Sequence, residues 1–534
     1  MNTPRVLCAM SFFGLLAGLV GACSDDGSPG GVDAGTDGSD AGTGDAGTQP
    51  CELDFSLGRV IGKPVEKTCQ YLGLPYGKPP MGALRFAPPQ PAGGWPGIRD
   101  ASMFGPSCMQ QTSVVPGGTN VSEDCLSLNI DTPEPRPATK LPVMVFVHGG
   151  GYTLGGSNGY DGRLLSEKGA VVVVTINYRL GAFGFLAHPA LDAERADAPS
   201  GSDGIRDQQL ALRWVKDNIS AFQGDPDNVT VFGESAGSGS ASLLLVSPGS
   251  RDLAHRFILE SGASVGSGFG TSSRETGYAL STRMASELCA GAPDVMACLR
   301  AKPAEELVSW TGGSMGLFGA PWVPVIEGRP GGVLPDTPKN LIANNDYNRG
   351  AAIIAGTNKN EWGLFELPAL GGTPITTIAQ FKTNLMQQFG ARAAEVETQY
   401  PVASDAEVND VYVRLVSDVT FRCPTRLLAR LTTAHGSKFY LYSFEEGAAY
   451  HGDELAYVFA MPGFFGTPPV PDLVAVVQGY WTQFAATGDP NTSGLPAWPL
   501  YGAVSDQHLV LKNPPALGSG LSRSDCDFWD EFNP

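Results

Sequence analysis

The chain has 534 residues, of which 42% are hydrophobic and 17% charged, and its formal net charge is −19. That is ample apolar material for a large core, and an acidic surface that repels phosphate backbones excludes nucleic acid as an expected partner. Length alone suggests about three domains at roughly 150 residues each, a measure that large α/β enzymes exceed.

Residues 1–22 read as a signal peptide. Arg5 supplies one positive charge, and the apolar run over 6–20 is too short to span a bilayer. The run ends in Val20-Gly21-Ala22-Cys23. Small residues before a cysteine resemble the lipobox of bacterial lipoproteins, in which the cysteine becomes the lipidated first residue. A plain secretory signal cut nearby is the alternative. Residues 23–50 alternate Gly, Asp, Ala, Ser and Thr with almost nothing large and apolar, so they read as a disordered lipoprotein tether. At about 5–6 Å times the square root of its length, such a tether holds a domain on the order of 30 Å from its anchor. The expectation is an exported protein, lipid-anchored to a bacterial membrane, facing periplasm or cell exterior. Its membrane contact is expected only through that N-terminal anchor. Export fits the cysteines. Cys8 falls in the leader and Cys23 at the lipobox; the others are at 51, 69, 108, 125, 289, 298, 423 and 526. An even count in an exported chain points to disulfides. No Cys-x-x-Cys pair occurs among them, so zinc is not expected.

Residues 51–534 read as one domain of alternating strands and helices. The apolar run over 141–147 is a central strand and leads into His148-Gly149-Gly150-Gly151-Tyr152. Consecutive glycines let bare backbone amides point into a cavity, the pattern of an oxyanion loop. The expected donors are the N–H groups of Gly150 and Gly151, completed by Ala236. A strand at 170–176 and a helix at 205–222 follow. The strand at 229–232 ends in Gly233-Glu234-Ser235-Ala236-Gly237, and small and apolar residues over 241–246 read as helix. A strand, a tight turn and a helix in this order strain the serine backbone and project its hydroxyl above the sheet edge. Gly233 and Gly237 let strand and helix close together. The bare Gly-x-Ser-x-Gly pattern recurs at Ser157, Ser264 and Ser314 among 69 glycines. Only Ser235 has a strand before it and a helix after it, so Ser235 is the expected nucleophile.

Such an elbow places its partners in the chain order serine, acid, histidine. After a strand at 256–260, the next buried-strand run is 351–355, and the loop beyond it carries Glu361, the expected acid. Of six histidines, His148 and His188 precede Ser235, and His255 follows it too closely to leave room for an acid-bearing strand. His435 ends a helical stretch over 427–433, where the dipole favours it. His508 opens a strand over 508–512. His451 remains, in the loop beyond the strand 439–444, and catalytic residues belong on such loops. Asp453 and Glu454 rival Glu361 as the acid. They lie too close to His451 to orient its ring from behind without a sharp local fold, and they are expected as outer supports. A further helix is expected at 472–486. The spacing predicts a mostly parallel central sheet with helices on both faces.

Together these motifs resemble the type-B carboxylesterase family, which includes cholinesterases, carboxylesterases and some fungal lipases. The resemblance runs from about residue 56 to the C-terminus. It also includes Tyr71-Leu-Gly-Leu-Pro-Tyr-Gly77, Arg85-Phe86, Ser122-Glu-Asp-Cys-Leu-Ser-Leu-Asn129, Asn177-Tyr-Arg-Leu180, Asp207-Gln-Gln-Leu210, His451-Gly-Asp-Glu454 and Cys526-Asp-Phe-Trp529. It implies the α/β-hydrolase fold and a Ser235–Glu361–His451 triad that hydrolyses carboxylic esters of small molecules through an acyl-enzyme, with no cofactor or metal. It also implies the disulfides Cys108–Cys125, Cys289–Cys298 and Cys423–Cys526. Cys51 and Cys69 are then the pair left to bond across an N-terminal hairpin. Cholinesterases carry a choline-stacking tryptophan in the loop that Cys108–Cys125 closes. Here that loop is short and has no aromatic residue, so choline specificity is not expected. The acyl pocket is expected at Phe318, Ala320 and Trp322, ahead of a strand at 323–326, within a stretch over 262–340 that builds insertions over the site. Two alternatives stay open: a lipase acting on longer-chain acylglycerols, and a non-catalytic cell-surface binding protein, since some members lack the serine. Oligomeric state is left open.

Overall fold

The structure, a computed structural model, describes residues 50–111, 117–118, 120–195, 197–266, 270–312, 322–329 and 332–532. The expected leader, nearly all of the tether, Cys23, Phe318 and Ala320 lie outside the described residues. In chain order the strands are β1 (Glu52–Phe55), β2 (Gly58–Val65), β3 (Thr68–Pro75), β4 (Ile98–Ala101), β5 (Ser107–Cys108), β6 (Val121–Ser122), β7 (Ser127–Pro133), β8 (Leu141–Val147), β9 (Val172–Ile176), β10 (Gly224–Glu234), β11 (Arg256–Glu260), β12 (Ala352–Asn358), β13 (Phe439–Phe444), β14 (Gln507–Leu511) and β15 (Ala516–Ser519). Among the described residues, one 13-stranded sheet runs β1-β2-β3-β7-β9-β8-β10-β11-β12-β13-β14-β15, with β4 beside β2, while β5 and β6 pair separately.

The stretch from β9 to β14 in that order is parallel throughout. Its strands are those expected from the apolar runs. In β8, Val143, Val145 and Val147 pack into one apolar layer, while Met144 and Phe146 pack into the other. Burial on both faces explains why such strands read as continuous apolar runs without polar alternation. The helices Asp203–Asn218 and Ala236–Val246 cover the first face. Pro471–Thr487 covers the second. The expected helix over 205–222 is this first helix, closed by a 3-10 turn at Ile219–Phe222. The result is the α/β-hydrolase fold.

From β8 the chain passes to β9 on one side and then to β10 on the other. Loops leaving the carboxyl ends of β8 and β10 therefore diverge and open a crevice, the place where open α/β sheets bind ligands. His148–Gly151 and Ser235 follow those two ends.

Among the described residues there are four disulfides: Cys51–Cys69, Cys108–Cys125, Cys289–Cys298 and Cys423–Cys526. The first joins the residue before β1 to β3, so it crosses a three-stranded antiparallel meander rather than a two-stranded hairpin. The strand expected at 323–326 is reduced to one bridge, Ser272 to Val325. A helical insertion between β12 and β13, from Ile378–Phe389 to Cys423–Ala434, has an apolar cluster of its own, which Trp529 of the final helix completes.

Candidate active site

Ser235 stands at φ 57, ψ −123, a sparsely populated backbone conformation for a residue with a side chain. The turn is locked by close approach. A Cβ on Gly237 would lie 1.9 Å from the Val147 carbonyl oxygen, and one on Gly233 would lie 2.6 Å from the Gly237 carbonyl carbon. The Ser235 N–H donates to the Glu260 carbonyl oxygen at 2.9 Å, so the turn stays in register with β11. The backbone strain at Ser235 is maintained by strand and helix together, and the side chain borders a cavity of about 310 Å³.

The loop beyond β8 lies directly against this turn, since a Cβ on Gly149 would sit 3.0 Å from the Ser235 Cβ. Gly150 and Gly151 have φ 104 and 62, open to glycine at little cost. The N–H groups of Thr153 and Leu154 both donate to the Gly150 carbonyl, which turns that oxygen away and folds the loop back. Among the described residues the Gly150 and Gly151 amides donate no hydrogen bond. Ala236 occupies the first turn of its helix, where N–H groups have no intrahelical acceptor. His148 belongs to the scaffold. Its ring stacks on Tyr178 at 4.5 Å, and burial pushes its pKa down to about 4, so it is neutral at ordinary pH.

Glu361 sits beyond the end of β12 and is fully buried. The Asn358 N–H donates to its Oε1 at 2.6 Å, and its Oε2 faces His451 Nδ1 at 2.6 Å. The loop is held from behind. The Trp362 N–H donates to Ser417 Oγ at 3.0 Å, and Arg422 Nη2 donates to the Lys359 carbonyl at 2.8 Å. Ser417 precedes and Arg422 ends the π-helical turn Asp418–Arg422, the kind of local widening found often at functional sites. From the same turn the Phe421 ring packs 4.8 Å from the His451 ring, and Phe365 packs against it at 5.3 Å. On its Nδ1 side the imidazole is therefore held by Glu361, with two aromatic rings packed against it.

The sequence profile of the carboxylesterase family matches residues 49–529. The chain belongs to the carboxylesterase family. This esterase is 33% identical to the liver carboxylesterase of Sus scrofa, over 90% of its own length and 93% of that protein's. It is 34% identical to carboxylesterase 1D and to carboxylesterase 1E of Rattus norvegicus, each over 91% of its length and over 94% and 95% of theirs. It is a carboxylic-ester hydrolase.

One group at the esterase's site was not expected from the sequence. Glu234 Oε1 lies 3.1 Å from His451 Nε2, and among the described residues the ring makes no hydrogen bond to Ser235. Burial, with Glu361 and Glu260 nearby, pushes the Glu234 carboxyl well above the usual carboxylate range. Its position beside Ser235 in the Gly-x-Ser-x-Gly turn was the available signal. Glu454 is raised in the same way, by burial and then by Glu234 and Glu260. It accepts from Asn358 Nδ2 and, at 3.5 Å, from Ser261 Oγ. Because the Asn358 N–H binds Glu361, Glu454 supports Glu361 at one remove. Asp453 Oδ2 accepts from the Tyr450 N–H at 2.8 Å and shapes the turn before His451.

Other candidates lie elsewhere in the esterase. Trp322 is buried against Trp310, with ring centroids 5.7 Å apart, and borders a separate cavity of about 40 Å³ beside Leu154 and Gly181. His255 Nδ1 and His188 Nδ1 accept from the Val229 and Ala190 backbone N–H groups, both at 3.1 Å, and serve the ends of elements. His435 caps the helix Cys423–Ala434, and His508 is buried on β14.

Proposed function

We propose that the esterase works by two-step acyl transfer at Ser235. The observation that carries this reading is the buried 2.6 Å contact between Glu361 and His451 Nδ1, on the wall of a cavity that Ser235 also borders. His451 takes the Ser235 proton through Nε2 as the hydroxyl attacks the ester carbonyl. Glu361 holds the imidazole in the tautomer that leaves Nε2 free and stabilises the imidazolium that forms. The amides of Gly150, Gly151 and Ala236 receive the developing oxyanion, and each such donor typically lowers the barrier by about 3 kcal/mol. His451 then gives its proton to the departing alcohol oxygen. Water, activated by the same base, cleaves the acyl-enzyme. Rotation of the Ser235 side chain toward Nε2 makes the attacking hydrogen bond, a contact that tightens in the Michaelis complex.

The test is Ser235→Ala combined with covalent labelling of the parent enzyme by an organophosphonate. Hydrolysis of a nitrophenyl ester is expected to vanish in the variant while the fold is kept, and the label is expected on Ser235. Retained turnover in the variant, or a folded parent that takes no label, would refute the reading and favour a non-catalytic binding role.

Export of the chain is supported by its four disulfides, and among the described residues no helix is long and apolar enough to cross a membrane. Anchoring through a lipid on Cys23 rests on the sequence around that residue. Cys23→Ala is expected to move the esterase from the membrane fraction to the soluble one. A parent protein that carries no acyl chains would count against the anchor.

A further inference from the structure

Glu361 is fully buried, and acids crowd it. Burial, joined in each case by the charge of Glu361, raises the carboxyls of Glu234, Asp453 and Glu454. The Tyr442 hydroxyl is raised too, by burial and then by Glu454, Glu260 and Glu361. Ionised, each of these acids would favour a proton on the pair that Glu361 makes with His451. Arg422 is a cation set against them, and its side chain is almost wholly buried. Nη1 donates to Asp418 Oδ1 and, at 3.2 Å, to Ser522 Oγ. Nη2 donates at 2.8 Å to the carbonyl of Lys359, two residues ahead of Glu361, and Nε has no partner among the described residues. Burial opposes the charge of the guanidinium, but Asp418 and then Glu361 raise it above the ordinary arginine range. Asp418 holds Nη1 while Nη2 reaches the Glu361 loop, so the positive end of the pair faces the acid. The other charges nearby are paired and wet. Lys359 bridges Glu445 at 3.6 Å and Arg414 bridges Asp525 at 3.9 Å. Lys359, Glu445 and Arg414, with Asp410 and Glu366, border an open cleft of about 740 Å³, where solvent screens them. On β14, burial lowers the His508 imidazole and Arg422 adds to the effect.

We propose that Arg422 is the positioning residue of the catalytic acid: it ties down the loop that presents Glu361, and its fixed positive charge sets the acid limit of activity by opposing protonation of the Glu361–His451 pair. The assignment rests on the proposed triad, since only a pair that must stay unprotonated gives that charge a kinetic effect. The interaction is mutual, so a carboxylate that stabilises the guanidinium is stabilised by it. Opposite charges close together in a buried site move a proton equilibrium by roughly 1 to 3 pH units, and Asp418 offsets part of that here.

The experiment reads the acid limb of kcat/KM against pH, which reports the free enzyme, on nitrophenyl acetate, with active sites counted by phosphonate labelling. Without the cation the pair takes up its proton more readily, so Arg422→Gln is expected to move the limb to higher pH by about one unit. Arg422→Lys, which keeps the charge, is expected to bring the limb back toward that of the parent. Asp418→Asn, which leaves the guanidinium uncompensated, is expected to move it to lower pH. The opposite shifts separate charge from packing, because a merely loosened turn lowers kcat in both variants without sending their limbs apart. A limb unmoved in Arg422→Gln, or moved the same way in Asp418→Asn, overturns the assignment. Asp418→Asn decides alone if Arg422→Gln does not fold. Labelling separates the two failures. A parent labelled at Ser235 whose variants all share its limb rejects the role of Arg422 alone, whereas an unlabelled, folded parent rejects the triad and this role with it.

Discussion

Glu361 offers one carboxylate oxygen to the Asn358 amide and the other to His451 Nδ1, so both are committed and neither faces solvent. That arrangement separates charge from geometry as causes. Glu361→Gln keeps the size and one oxygen acceptor. The Asn358 N–H claims that oxygen, and the amide nitrogen then donates toward Nδ1, so the ring is driven into the tautomer with its proton on Nε2. Under the proposed mechanism kcat falls by about 10⁴, the size of loss expected when the wrong tautomer is fixed. KM changes little, because ground-state binding is untouched. Steady-state kinetics on a soluble nitrophenyl ester, normalised to folded protein, measures this. A loss below tenfold would mean that the carboxylate does not set the tautomer. Much of this residue-level arrangement was legible beforehand, since Ser235, Glu361 and His451 each follow a strand end in a fixed chain order. Glu234 was not. A glutamate in such a turn reads as solvated until its burial and its neighbours are known.

The elements were legible in proportion to how fully they are buried on both faces. The parallel strands β8 to β14 are apolar runs, and they were foreseen. β7 was not, because it spells Ser-Leu-Asn-Ile-Asp-Thr-Pro and reads as a polar loop. In place, Asn129 Nδ2 donates to Ser157 Oγ and Thr175 Oγ1 at 3.0 and 2.9 Å, and Gln70 Nε2 donates to Asp131 Oδ1 at 2.8 Å. Buried polar groups are tolerated there because each has a partner from a neighbouring element, which a single sequence does not display. The π-helical turn behind Glu361 was hidden for the same reason, since Ser417 and Arg422 match no motif. Asp131 gives β7 a measurable property. Burial pushes its pKa from 3.8 up to about 7, against the opposing effect of the Gln70 hydrogen bond. Between those values the native state binds more protons than the unfolded chain. The contribution of Asp131 to stability is therefore full below about pH 4 and is lost as pH rises toward 7, by at most about 1.4 kcal/mol per pH unit. Asp131→Asn cannot ionise. Whatever its cost at one pH, its stability relative to the parent is expected to rise over that window. Urea denaturation at pH 4.5, 5.5 and 6.5 reads the difference, and parallel pH dependences would show that Asp131 does not titrate in the window.

Across the whole molecule, the site depends on segments far from it in sequence. The turn that carries Phe421 against His451 and holds the Lys359 carbonyl is followed at once by Cys423, which is bonded to Cys526 in the final helix. A second link runs alongside: Trp529 Nε1 donates to the Tyr400 hydroxyl, which donates to Asp418 Oδ2. The Cys423–Cys526 bridge spans 103 residues, whereas Cys289–Cys298 spans 9. If a disulfide acts by removing conformations from the unfolded chain, the longer loop stabilises by about 2 kcal/mol more than the shorter one. Replacing both cysteines of each pair by serine, in separate proteins, is expected to reproduce that difference in guanidinium denaturation. The Cys423→Ser/Cys526→Ser protein is also expected to lose kcat well below its unfolding transition, because loosening the final helix frees the turn that clamps the imidazole. The Cys289→Ser/Cys298→Ser protein, whose bridge touches none of those groups, is expected to keep its kcat. Equal stability losses would locate the effect in native-state packing rather than chain entropy. Unchanged kcat in the first protein would show that the Trp529–Tyr400–Asp418 link holds the turn unaided.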